Sequence, residues 1–136
     1  MDIFANVVLG FSVALTPTNL LFCFLGSVVG TLVGVLPGLG PVGAVAFLLS
    51  LTFKMAPATA VIMLAGIYYG AMYGGSTTSI LVNIPGETAS VVTCLDGYRM
   101  ARQGRAGAAL GIAAFGSFIA GRSSVVLRLI YLRANR

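Results

Sequence analysis

Four consecutive hydroxyls, Ser76-Thr77-Thr78-Ser79, follow Gly74-Gly75 and precede Asn83 and Glu87. Together they supply neutral oxygens that can hold a cation or a carboxylated substrate without burying a permanent charge. They equally suit a quieter role, because Ser and Thr in membrane helices often bond the carbonyl one turn back or a neighbouring helix. Four adjacent side chains cannot face one way on a helix, so the run reads as a loop or a helix start. Glu87, directly behind Asn83-Ile84-Pro85-Gly86, reads as a membrane-edge ion ligand or proton carrier, or as a cap on the next segment. Asp96 beside Arg99 reads as a turn former or a loop ion pair.

A second stretch carries its chemistry in the backbone. Gly38-x-Gly40-x-x-Gly43 matches the dinucleotide fingerprint in form, but that motif needs a preceding strand and an acidic residue about 20 positions on. Here Pro37 precedes it, Pro41 sits inside it, and Leu51 to Met63 holds no acid. The physical alternative is an interrupted helix. Transporters aim half-helix N-termini at anions and free carbonyls at cations, and non-helical backbone is tolerated at membrane depth only where protein or water satisfies it. A pair of simple kinks, or sharp loops at the membrane surface, stands as the competing reading.

The elements that must position these residues are apolar. The chain has 136 residues, of which 58% are hydrophobic and 8% charged, against roughly 25% charged in an average soluble domain. No Asp, Glu, Lys or Arg occurs from Ile3 through Phe53, and after Lys54 the next charge is Glu87. A span needs about 20 apolar residues, so the first 86 residues have room for about four membrane-embedded segments. A cleaved signal peptide is not expected, because Asp2 is the only early charge and the apolar sequence simply continues.

Helical segments are expected at Ile3–Leu15, Leu20–Leu36, Val42–Phe53, Ala58–Tyr73 and Ala106–Ala120, with Thr18 or Asn19 capping the second. Gly26, Gly30 and Gly34 share one face of the second segment, and Gly66, Gly70 and Gly74 repeat that spacing. Small residues four apart let helix backbones approach closely in lipid. Pro37 is expected to stop the second segment, Gly38 and Gly40 to take left-handed angles, and Pro41 to open the next helix. A break is expected again after Gly74-Gly75 and at Pro85-Gly86. The polar stretch from Glu87 to Arg105 reads as a loop of about twenty residues with short helical turns.

Several chemistries are excluded. The chain has no His, so a Ser or Cys centre built on a His base cannot form within it. Cys23 and Cys94 are isolated thiols without metal-ligand neighbours, and neither a metal site nor a catalytic residue is expected. The net charge of +5 gathers at Arg99, Arg102, Arg105 and then Arg122, Arg128, Arg133 and Arg136. In so apolar a chain the positive-inside rule accounts for the first cluster better than nucleic acid does.

With these residues in view, the chain resembles the large membrane subunit of the tripartite tricarboxylate transporter family. The resemblance is carried by GTLVGVLPGLGP (Gly30 to Pro41), YYGAMYGGSTTSILVNIPGE (Tyr68 to Glu87), LDGY (Leu95 to Tyr98), GRAGAALG (Gly104 to Gly111) and SFIAG (Ser117 to Gly121). It implies an all-α, polytopic bacterial inner-membrane protein with broken or re-entrant helices near Pro37 and Pro85. The implied activity is secondary uptake of tricarboxylates such as citrate, or of related carboxylates, driven by a sodium or proton gradient. The implied partners are a small membrane subunit and a periplasmic solute-binding protein.

Family members are much longer, so residues 1–121 read as the N-terminal part of such a membrane domain. The arginine-rich residues 122–136 read as a divergent tail of a truncated or frameshifted product, with no transport expected from the chain alone. Substrate and ion are expected at Pro37, Gly38, Gly40, Gly74, Gly75, Ser76, Thr77, Thr78, Ser79, Asn83 and Glu87. A small structural or accessory membrane subunit is the competing reading.

Overall fold

The computed structural model describes residues 3–134, and every regular element among them is a helix. Six α-helices follow one another: α1 (Ile3–Ala14), α2 (Pro17–Gly34), α3 (Gly40–Leu48), α4 (Pro57–Val82), α5 (Val91–Arg102) and α6 (Ala106–Ala134). Single 3-10 turns at Leu49–Thr52 and Thr88–Ser90 extend α3 and lead into α5. Three helices, α2, α4 and α6, are long and apolar enough to cross a membrane. Phe24, Leu32, Phe47, Val61, Phe115 and Ile119 stand exposed around the outside. Lipid rather than water is the solvent such a surface suits.

Two of the three spanning helices, α2 and α4, begin on proline. Thr16 and Ala56 are extended, and Pro17 and Pro57 then open α2 and α4 at a position where the missing N–H costs nothing. The side-chain cap expected from Thr18 or Asn19 does not form: Thr16 stands at the N-cap position, and its hydroxyl donates to Val13 O instead. Asn19 is buried instead: its amide donates to Val13 O at 2.7 Å, and Thr59 Oγ1 donates to its Oδ1 at 2.7 Å. This bridge fixes the start of α2 beside the start of α4.

α2 and α4 run parallel. Residues 19 and 59, 30 and 67, and 35 and 78 are successive partners along the pair. The segment from Val35 to Ala56 must carry the chain back to the starting side, and α3 with its 3-10 turn does so. Ala44 and Leu48 of α3 pack with Met63, Ile67 and Ala71 of α4 to form the buried apolar core.

Three expectations change. α4 does not break at Gly74-Gly75: it continues through Ser76–Ser79 as regular helix to Val82. The hydroxyls that argued for a loop bond carbonyls one turn back, which leaves them satisfied inside the helix. The polar stretch 87–105 is α5 rather than a loop, and Asp96 is helical rather than in a turn. α5 ends in a glycine turn, with Gly104 at φ +78°, Gly104 N donating to Ala101 O and Arg105 N to Met100 O. Finally, α6 runs past Ala120 to Ala134, and the Arg122 guanidinium lies 4.2 Å from the Phe118 ring centroid one turn earlier.

Candidate functional site

The site begins with two glycine faces pressed together. A Cβ on Gly26 would stand 2.5 Å from Met63 O, and one on Gly74 would stand 2.5 Å from Thr31 O. Gly30 and Gly34 meet the backbones of Ile67 and Ala71, while Gly66 and Gly70 meet those of Cys23 and Ser27. Each helix thus lays its glycines on the other's main chain, the close approach that the spacing of four predicts.

That approach sets the height at which the two chain breaks sit. The α2–α3 break is made by Gly38 at φ +93° and Gly40 at φ +60°, and Pro41 lies in the first turn of α3, all as expected. The α4–α5 break begins at Asn83, a left-handed cap at φ 62°, and passes through Pro85 to Gly86. Helices therefore stop near Pro37 and Pro85, and helix resumes at Gly40 and Val91. The two breaks meet. The Gly86 backbone lies against Gly75, where a Cβ on Gly75 would be 3.4 Å from Gly86 Cα, and a Cβ on Gly40 would be 3.8 Å from Gly86 O. Thr78 Oγ1 donates toward Val35 O at 3.0 Å and toward Gly74 O at 3.2 Å, tying the end of α2 to α4.

Of the expected site residues, Gly40, Gly75 and Thr78 converge on this junction, with Gly74 and Ser79 buried in α4 beside it. Pro37, Gly38 and Asn83 are exposed along the two breaks. Ser76 and Thr77 turn elsewhere, bonding Met72 O and Tyr73 O. Ser76 lines a groove of about 380 Å³ between α4 and α6, together with Tyr69, Tyr73, Ser117, Gly121 and Ser124. The hydroxyl run is thus split between two helix faces, as four adjacent residues on one helix must be.

Glu87 is half-buried, and burial raises its carboxyl pKa above the ordinary value. Its backbone is capped by Ser90, whose Oγ accepts from Glu87 N at 3.1 Å and donates to Glu87 O at 2.9 Å. The sequence reading omitted three participants: Gly34, the Val35 carbonyl and Gly86. Gly34 and Gly86 were visible as the last member of a stripe and as half of a Pro-Gly pair. The carbonyl had no sequence signal.

Comparison with known proteins agrees with this architecture. Residues 20–133 match the profile described as the tripartite tricarboxylate transporter TctA family. The matched range includes both breaks and runs past Gly121. The chain is also 59% identical over 130 residues to an "Uncharacterized 52.8 kDa protein in TAR-I ttuC' 3'region" of Agrobacterium vitis. That alignment takes in 96% of this chain and 26% of the relative, so the chain spans about a quarter of the relative's length. No solved structure matches it.

Proposed function

The chain belongs to the tripartite tricarboxylate transporter TctA family, and from that premise we propose that it forms part of the carboxylate pathway of an ion-driven importer. The membrane subunit of such a system, in the bacterial inner membrane, takes a tricarboxylate such as citrate from a periplasmic solute-binding protein and works beside a small membrane subunit. Symport with sodium or protons supplies the driving force.

The observation that carries the reading is the meeting of two Pro-Gly breaks, distant in sequence, at one end of a parallel helix pair. Interrupted helices at a shared site are how secondary transporters present backbone N–H groups to anions. α3 starts there at Gly40, with no side-chain cap on its first turn, so its N–H groups and positive dipole end suit a carboxylate. Pro37, Gly38 and Asn83 would form the rim and Gly40 the floor. No catalytic residue is invoked.

A cysteine placed at Pro37, with Cys23 and Cys94 replaced by Ser, tests the reading in a full-length relative. Citrate is expected to slow its modification by a thiol reagent, and modification at the same rate with and without citrate would count against it. Replacing Gly40 by Leu in that relative is expected to abolish citrate uptake while insertion into the membrane persists. Vesicles holding these 136 residues alone are expected to show no uptake, because alternating access moves one repeat against another.

A further inference from the structure

We propose that the groove between α4 and α6 holds one anionic phospholipid, with its phosphate on Arg128 and an acyl chain along the small residues of α6 that lead away from it. The proposal goes beyond the transport reading and does not depend on it.

Helix register makes the groove. α6 runs antiparallel to α4: Ala109 and Ile112 share a cleft with Ile80, Ser117 and Gly121 share one with Tyr73 and Ser76, and Arg128 and Tyr131 share one with Tyr69. The last two clefts, of about 380 and 620 Å³, both reach Tyr69 and Ser124 and so form one continuous groove. On α6 the lining falls at Ser117, Gly121, Ser124, Arg128 and Tyr131, steps of four and three that trace a single stripe. The stripe begins small and ends in a cation and a phenol. Gly121 leaves the floor bare, since a Cβ there would meet nothing within 4 Å. Ser76 and Ser124 donate to Met72 O at 3.1 Å and Gly121 O at 2.8 Å, so their protons are spent inside their own helices. With Met72 and the rings of Tyr69 and Tyr73 as walls, the narrow part suits a hydrocarbon chain.

Charge provides the second argument. Arg128 is the one charged residue in the lining. Among the described residues the carboxylates are Glu87 and Asp96, the first at the α4–α5 break and the second beside Ile80 and Ala109, both toward the opposite end of α6. Neither reaches Arg128. Arg122 does not compete for the groove, because its guanidinium is stacked on the Phe118 ring outside it. An arginine on a membrane helix calls for an anion or water to meet it, and the planar guanidinium holds phosphate through two parallel hydrogen bonds. The anion must come from outside the described chain.

Height and access select a lipid as its source. Arg105 marks one headgroup level immediately before Ala106, and Arg128 stands about 33 Å further along α6 at 1.5 Å per residue. With a hydrocarbon core of about 30 Å, that places Arg128 at the opposite headgroup level. Tyr131 beside it is of the type that gathers at this boundary. From there the groove descends toward Gly121 and Ser117, the direction an acyl chain takes from its phosphate. Its mouth lies on the outside of the α4–α6 pair, flanked by exposed Val125 and Leu127. A lipid reaches such a mouth within the bilayer, whereas a soluble carboxylate would have to cross hydrocarbon to enter it.

The test uses the purified 136-residue chain in a neutral detergent, with lipid added as mixed micelles. A ligand that binds only the folded state raises the thermal midpoint in a saturable way. Phosphatidylglycerol is expected to do so, while net-neutral phosphatidylcholine, and glycerol 3-phosphate, which has the phosphate without the chains, are not. Arg128→Gln is expected to raise half-saturation about fivefold and Arg122→Gln to leave it unchanged. Gly121→Leu, whose side chain enters open space, is expected to keep its helical circular dichroism and its midpoint in detergent alone and to lose the phosphatidylglycerol response. Equal responses to the two lipids, or equal effects of the two arginine changes, would overturn the proposal. So would a response to citrate or glycerol 3-phosphate that needs Arg128, which assigns the groove to a soluble anion. A dimer in detergent alone that Gly121→Leu dissociates would also overturn it, in favour of a second copy of the chain.

Discussion

At the scale of single residues, glycines that look alike in the sequence have opposite sensitivities. Gly30 faces the Ile67 backbone, which cannot retreat, so Gly30→Ala is expected to destabilise the chain by about 1–3 kcal/mol in a detergent melt. Gly107 has open space around it within α6, and Gly107→Ala is expected to be neutral or to stabilise by up to about 1 kcal/mol. Equal effects of the two changes would refute the clasp. Glu87 makes a pH prediction. Its folded pKa is raised, so the folded state binds the proton more tightly than the unfolded chain. The stabilisation from that proton is full below the ordinary carboxyl pKa and fades as pH rises through the raised one. Thermal melts between about pH 4 and 7 should therefore lose a component in Glu87→Gln, with the variant at least as stable at neutral pH. The stripe spacing was legible because close packing needs small residues at fixed intervals. The fate of Ser76–Ser79 was not, since a run of hydroxyls does not reveal which carbonyls lie one turn behind it.

At the scale of elements, helix starts and stops were legible where proline or glycine forces the backbone. Pro37, Gly38, Gly40 and Pro41 end one helix and begin another as their torsions require. The continuity of α4 was hidden because Gly74-Gly75 weakens a helix only when nothing packs on it, and here Thr31, Gly34 and Gly86 do. α5 was hidden by its polarity, which reads as loop until its packing partner is known. Gly97 is that contact: a Cβ there would lie 2.7 Å from Ile80 Cγ1. Gly97→Leu is expected to lift α5 from α4, which limited proteolysis near Arg102 would detect as faster cleavage.

At the scale of the molecule, the parallel course of α2 and α4 places both Pro-Gly breaks at the end where α5 brings Arg99 and Arg102. Positive residues favour the cytoplasmic side, so both breaks are expected to face it. Cysteines at Pro37 and Arg102 should react with an impermeant thiol reagent from one side of the membrane, and a cysteine at Phe53 from the other. Labelling of Pro37 and Arg102 from opposite faces would disprove the parallel pair. Neither arrangement was legible beforehand, because spacing along a chain does not record the direction in which the next helix runs. The glycine clasp carries a last consequence, for motion. An interface of backbone on backbone has no rotamers to rearrange, and sliding by any step other than a full helical turn would drive main chain into main chain. α2 and α4 therefore act as one beam, and whatever opens or shuts this molecule must pivot around the beam at the breaks or along its looser seam with α6.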